Sequence, residues 1–126
     1  MNLLLDTNVL LHAAAGKLSQ ATVSLMQDSG NTCYYSLAGI WEIVIKTAKG
    51  KLDIGRTPEQ FERALRANGY RRLDIKPAHL YGLAELEEIH SNPFDRVMVS
   101  QARCESMTLL TADKLLQTYP VPVILI

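Results

Sequence analysis

The first apolar run, Asn2-Leu3-Leu4-Leu5, is short and unbroken and stops at Asp6. A continuous run of this length predicts a strand buried on both faces, as parallel sheets require. Asp6-Thr7-Asn8 makes the turn, and a helix follows from Asn8 to about Ala15, stopped by Gly16. Ser19 is suited to cap a second helix through Met26, with Ser29-Gly30-Asn31 ending it. Thr32–Tyr35 reads as the second strand, and Ser36 then caps a helix to about Lys49, with Gly50 just past its end. Thr57-Pro58-Glu59-Gln60 carries a capping box with proline at the first helical position, and that helix closes at Asn68-Gly69. Tyr70 to Asp74 or Ile75 is a third strand, and Pro77 opens a fifth helix to about Glu88. After the loop His90-Ser91, Asn92 caps a helix that starts at Pro93 and runs to about Glu105. Met107–Leu110 is the fourth strand, followed by a short helix to Thr118. Val121–Ile126 is the last strand, placed at an edge by Pro122. Strands separated by helices predict an α/β fold with a parallel sheet covered on both faces.

With 126 residues, the chain is read as a single domain, 1–126, large enough to enclose a core. Its 48% apolar and 21% charged residues fit a soluble globular protein. No apolar run approaches the roughly 18 residues of a membrane span, and Met1–Leu5 lacks the basic start of a signal peptide. A cytoplasmic location is therefore expected. Cys33 and Cys104 form no C-x-x-C pair and are expected to be small buried hydrophobes in a reducing compartment. Net charge is zero, which argues against strong nonspecific binding of nucleic acid by a monomer. The charges are unevenly placed: Lys46–Lys76 carries +5 and Pro77–Asp113 carries −4. A basic middle beside an acidic third could present a polyanion to a metal site, and solvated helix faces would give the same pattern.

Four acids stand out. Glu42 lies in the apolar run Ile40-Trp41-Glu42-Ile43-Val44-Ile45, on a helix apolar nearly all round and so expected to be buried. A carboxylate there must be paired, hydrogen-bonded or bound to a metal. An ion pair with Lys46, four residues on, would suffice by itself. Asp95 could complete a capping box with Asn92 or favour the helix dipole. Asp113 sits at the start of its helix, and Asp6 could be an Asx-turn or cap residue. Each acid is nonetheless predicted at the C-terminal end of a strand or in the first two turns of the helix that follows. In open parallel sheets that edge is where sites form. Four converging carboxylates would repel and raise their pKa values unless a cation were present. An all-oxygen ligand set suits Mg²⁺ or Mn²⁺, which in such a site assists phosphodiester hydrolysis. His12, His79 and His90 are isolated, without zinc spacing, and are expected in surface or capping roles. There is no Gly-rich phosphate loop and no aromatic pattern for RNA stacking.

Four segments together resemble the PIN domain, in the branch that contains the VapC-like toxins of toxin–antitoxin modules. They are Asp6-Thr7-Asn8-Val9-Leu10-Leu11; Trp41-Glu42-Ile43-Val44-Ile45-Lys46 with Gly50-Lys51-Leu52; Asn92-Pro93-Phe94-Asp95-Arg96; and Leu110-Thr111-Ala112-Asp113. The resemblance covers essentially the whole chain, in order and spacing. It implies a three-layer α/β/α fold with a five-stranded parallel sheet and a Mg²⁺- or Mn²⁺-dependent endoribonuclease. It implies that Asp6, Glu42, Asp95 and Asp113 form the acidic metal-binding cluster, with Thr111 as its supporting hydroxyl. Lys46 and Arg96 match basic positions next to the acids, where they could orient carboxylates or touch phosphate, and Asn8 is expected as a further supporting or substrate-positioning residue. A homodimer is implied, together with a small VapB-like antitoxin whose C-terminal segment covers the cleft. This branch often shows His-Arg-Asp-Pro-Phe-Asp-Arg where the chain has His90-Ser91-Asn92-Pro93-Phe94-Asp95-Arg96, so one cation and one carboxylate are missing. It also often has a His and a later Trp where the chain has Asn8 and His12.

Other classes fit less well. A noncutting RNA- or protein-binding module would be expected to have lost one of the four acids. A phospho-acceptor receiver domain needs adjacent acids after its first strand and a Lys after its fifth, and a haloacid-dehalogenase-like phosphatase needs D-x-D where the chain has Asp6-Thr7-Asn8.

Overall fold

β1 (Asn2–Leu5) lies at the centre of the sheet. The other strands are β2 (Thr32–Ser36), β3 (Arg71–Leu73), β4 (Thr108–Thr111) and β5 (Val123–Leu125). They line up in the order β3-β2-β1-β4-β5, and every pairing is parallel. The computed structural model describes residues 1–126. The period-two geometry of a strand splits the leucines of β1 between two cores. Leu4 joins Val97, Val99, Leu109 and Leu116 on one face, whereas Leu3 and Leu5 join Leu10, Tyr35, Ile43 and Phe61 on the other. Both faces of the sheet are thus covered, giving the three-layer α/β/α arrangement, with β5 and its Pro122 flank at an edge.

Six α-helices fill the outer layers: α1 (Thr7–Ala14), α2 (Gln20–Gln27), α3 (Leu37–Ala48), α4 (Pro58–Ala67), α5 (Pro77–Tyr81) and α6 (Pro93–Cys104). The starts are capped as their sequences require. Ser19 accepts from the Thr22 N–H, and Thr57 and Gln60 form the full reciprocal box. Asn92 accepts from the N–H groups of Phe94 and Asp95. Gly50 and Gly69 follow α3 and α4 with φ of 69° and 88°, the left-handed region that terminates a helix.

Four expectations are corrected. The fifth helix does not reach Glu88: α5 ends at Tyr81 and a 3₁₀ turn occupies Gly82–Glu85. The carbonyl of His79, which a continuing helix would offer to Leu83, accepts the Ser100 hydroxyl at 2.5 Å. The segment Lys114–Thr118 is likewise 3₁₀ rather than α-helical, because Tyr119-Pro120 leaves too few residues to extend it. α3 is not buried all round, since Trp41 and Val44 are 54% and 45% exposed. Its inner face carries Ala38, Gly39, Glu42 and Ile43. Cys33 is buried, but Cys104 is exposed at the end of α6, where the helix runs out of the core.

Candidate active site

Parallel pairing brings the C-terminal ends of β1, β2 and β4 to one edge of the sheet. Asp6 follows β1 directly and caps α1, its Oδ1 accepting from the Thr7 N–H at 2.8 Å. Its Oδ2 accepts from the Thr111 hydroxyl, at the end of β4, at 2.7 Å. Thr111 Oγ1 in turn accepts from the Asp113 N–H at 3.0 Å. Asp113 then caps the 3₁₀ turn through Oδ1, which accepts from the Leu115 N–H. The two strand-end acids are therefore linked through one threonine, and their capping roles coexist with their places in the cluster.

Glu42 arrives from α3. Gly39 permits the close approach of α3 to α1, since a Cβ there would sit 3.1 Å from Thr7 Oγ1. α3 is also tied to α6 through Ser36, whose hydroxyl donates to Gln101 Oε1. Gln101 is fully buried and nothing in its local sequence marks it. Glu42 Oε2 accepts from Lys46 Nζ at 2.8 Å and from Asn92 Nδ2 at 3.2 Å. The expected Lys46 pair is therefore present, but it accounts for only one oxygen. Oε1 is buried without a hydrogen-bond partner, as is Thr7 Oγ1 beside it. Burial pushes the Glu42 carboxyl up, but the Lys46 and Asn92 donors, with the Thr7 hydroxyl close by, more than reverse this and hold it below the usual range.

Asp95 stands in the first turn of α6 and is 7% exposed. It does not complete a capping box: the Asn92 N–H donates instead to His90 Nδ1 at 3.0 Å. The Asp95 carboxyl is left to face the other acids. Burial first, then the charges of Asp6, Glu42 and Asp113 and a hydrogen bond with Asp6, push its pKa up to about 8. The other three predicted acids are thus within electrostatic reach of Asp95.

His90 overturns the expectation that the histidines stand apart. Its Nε2 lies 2.7 Å from Asp113 Oδ2 and 3.4 Å from Asp95 Oδ2. One potential ligand atom from each of the three residues falls in a group no wider than 4.8 Å. The only sequence signal was its place two residues before the cap of α6. His79 is a capping residue as expected, with Nδ1 accepting from the Lys76 N–H, but it is buried rather than superficial. Among the expected supporting residues, Thr111 and Lys46 touch the acids directly. Arg96 does not: its Nη2 donates to the carbonyls of Leu83 and Leu86, and it lines a cleft of about 460 Å³ with His90 and Ser91. Asn8 is exposed on α1, at the mouth of a separate cleft that also holds His12 and Arg56. The largest cavity, about 630 Å³, lies away from the acids against Met26, Phe61 and Tyr70. No helix is long and apolar enough to cross a membrane.

The donor set suits a hard divalent cation. A buried, unpartnered Glu42 oxygen and an Asp95 carboxyl driven up by burial and then by its acidic neighbours fit a carboxylate site that lacks positive charge.

A family profile described as PIN domain matches residues 3–121. No curated protein matched the chain. Among solved structures, the fold is similar to a chain of VapBC2 from Rickettsia felis, solved with a DNA fragment from its promoter. That match has 19% identity, covers 98% of each chain and gives a TM-score of 0.74. DNA-bound VapBC from Salmonella typhimurium matches with 13% identity over 98% of this chain and 97% of that one, TM-score 0.71. FitAcB from Neisseria gonorrhoeae matches with 19% identity over 97% and 96%, TM-score 0.67. With the profile spanning nearly the whole sequence, the chain belongs to the PIN domain family.

Proposed function

We propose that the chain is a divalent-metal-dependent endoribonuclease and the toxin of a VapBC-type toxin–antitoxin pair. The observation that carries the nuclease reading is the convergence of Asp6, Glu42, Asp95 and Asp113 from four separate elements, three of them 7% exposed or less. The similarity in fold to chains of VapBC2 from Rickettsia felis and VapBC from Salmonella typhimurium supports the toxin reading. On that reading the partners are an RNA substrate, a VapB-like antitoxin and a second copy of the chain, and the cation is Mg²⁺ or Mn²⁺.

Asp6, Glu42, Asp95 and Asp113 would hold the cation. When bound, it supplies the positive charge that activates water and offsets charge developing on a phosphodiester. The chain's own residues set the geometry. Asp6 is pinned on both oxygens, by Thr7 and Thr111, so its remaining lone pairs point in fixed directions. Asp113 is pinned by Leu115 and His90. Lys46 balances the charge of Glu42 and keeps it ionised. Asp95 holds its proton near neutrality in the metal-free protein, and a nearby positive charge would favour its ionised form. Lys46, beside Glu42, and Arg96, in the neighbouring cleft, would receive phosphates of a bound strand.

The test is cleavage of a mixed structured RNA by purified, antitoxin-free protein, with Mg²⁺, with Mn²⁺ and with EDTA, beside Asp6→Asn and Asp95→Asn. Fragments that need metal and vanish in both folded variants are expected. Full activity in either variant overturns the assignment of the acids. A folded parent that cuts nothing under any condition overturns the nuclease reading in favour of a binding module.

A further inference from the structure

We infer that His90 is a positioning residue of the metal site, acting as a hydrogen-bond donor to Asp113 and not as a metal ligand; the inference rests on the divalent-cation reading of the acidic cluster. Distance alone does not separate the two roles, because His90 Nε2 lies among carboxylate oxygens where a ligand nitrogen would also sit. The other ring nitrogen decides. His90 Nδ1 accepts the Asn92 backbone N–H at 3.0 Å, so Nδ1 carries no proton. The ring proton then lies on Nε2. A protonated Nε2 has no lone pair for a cation. It donates to Asp113 Oδ2 at 2.7 Å, with Asp95 Oδ2 next nearest at 3.4 Å.

The backbone group that fixes the tautomer belongs to a second clamp. Asn92 Oδ1 accepts the N–H groups of Phe94 and Asp95 and starts α6, while Asn92 Nδ2 donates to Glu42 Oε2. The Tyr119 hydroxyl accepts the His90 backbone N–H at 2.9 Å and anchors the loop from the far side. Three residues of loop, His90 to Asn92, thus hold acids from α3, from α6 and from the 3₁₀ turn after β4. A carboxylate at position 92 could cap α6 equally well but could not donate to Glu42. The histidine contributes orientation. With Oδ1 on Leu115 and Oδ2 on His90, both oxygens of Asp113 are held in the metal-free protein.

Mn²⁺ itself serves as the probe, bound to the parent protein and to His90→Phe and His90→Gln. Binding is followed by calorimetry, and histidine ¹⁴N coupling to Mn²⁺ by pulsed electron paramagnetic resonance. Phe keeps the ring without a donor, whereas Gln restores an N–H near the Nε2 position. His90→Phe is expected to weaken Mn²⁺ binding about 10- to 100-fold, the usual effect of losing a group that orients a ligand. His90→Gln should recover most of that loss, and the parent should show no directly bound nitrogen. Melting of each metal-free protein checks that the variants fold, and if His90→Phe does not, the parent spectrum and His90→Gln still decide. A directly coordinated nitrogen in the parent, or equal loss in both folded variants, makes His90 a ligand and overturns the inference. Unchanged affinity in a folded His90→Phe overturns it also, while leaving the cation reading intact. A parent that binds no Mn²⁺ removes the cation reading and this inference with it.

Discussion

Thr111 Oγ1 donates to Asp6 Oδ2 at 2.7 Å, joining the ends of β4 and β1 across 105 residues of chain. Both groups are buried, and the same hydroxyl accepts the Asp113 N–H. Thr111→Val keeps the shape of the side chain and removes both bonds. An acceptor and a donor are then left buried without partners, which costs about 1–3 kcal/mol. Urea denaturation of the metal-free variant should read this loss, and RNA cleavage should fall about 10- to 100-fold through misorientation of Asp6. Thr111→Ser retains the hydroxyl and should restore most of both.

The pH dependence of the metal-free protein follows from Asp95. Its pKa in the fold is raised to about 8, far above the 3.8 of a free Asp. The folded state therefore binds this proton more tightly than the unfolded state does. Stability from the protonated group is fully present below pH 3.8 and is lost as pH rises through about 8. Glu42 and Glu105 are held below their usual 4.5, so their contributions are present above that value and fade as pH falls below it. In EDTA, the melting temperature should decline from mildly acidic pH toward pH 8, and Asp95→Asn should flatten that decline. Mn²⁺ should raise the parent's melting temperature most at the alkaline end. A parent profile level from pH 5 to 8 would contradict the crowding of the four acids.

Local chemistry made much of this architecture readable. Thr57 and Gln60 form the box that their spacing specified, and Asn92-Pro93 starts α6 where that dipeptide predicted. The short apolar runs became parallel strands because only burial on both faces suits Leu3-Leu4-Leu5 and Leu109-Leu110. Asp6 and Asp113 were visible because strand ends place them, and Glu42 and Asp95 because they lie in the first two turns of helices with readable caps. What stayed hidden depends on packing between elements. The outward face of α3, with Trp41 meeting Phe94 edge-on at 5.0 Å, looked identical in sequence to its inward face. His90 joined the site only because β4 delivers Asp113 to a loop 23 residues earlier in the chain. Asp95 likewise gave up its capping role because His90 had already taken the Asn92 N–H.

Close packing at the break after α5 requires glycine at position 82, and this can be tested. A Cβ on Gly82 would lie 2.5 Å from Ser100 Oγ, and that hydroxyl is held against the His79 carbonyl. Gly82→Ala must displace one of them, and a forced shift of this kind costs about 1–3 kcal/mol. Ser100→Ala alone should lose about 1 kcal/mol with its hydrogen bond. The double variant should be more stable than the sum of the two losses predicts, because the clash and the bond share one oxygen. Strict additivity in denaturant titrations would show that Gly82 is required for some other reason.

Lys46 is the cation that Glu42 uses in the metal-free protein, at 2.8 Å, with Lys46 half-exposed and Glu42 almost fully buried. Lys46→Met keeps the length of the side chain and deletes its charge. Burial then acts on Glu42 with fewer opposing donors, so its pKa should rise from its lowered position. The destabilisation should be about 1–2 kcal/mol at neutral pH, less than for a fully buried pair, because water already screens one partner. A cation in the cluster would replace the missing charge, so Mn²⁺ should stabilise Lys46→Met by more than it stabilises the parent. Thermal melts with and without Mn²⁺ measure both differences directly. Equal metal-induced shifts in the two proteins would mean that Glu42 is satisfied by Lys46 alone and takes no part in holding the ion.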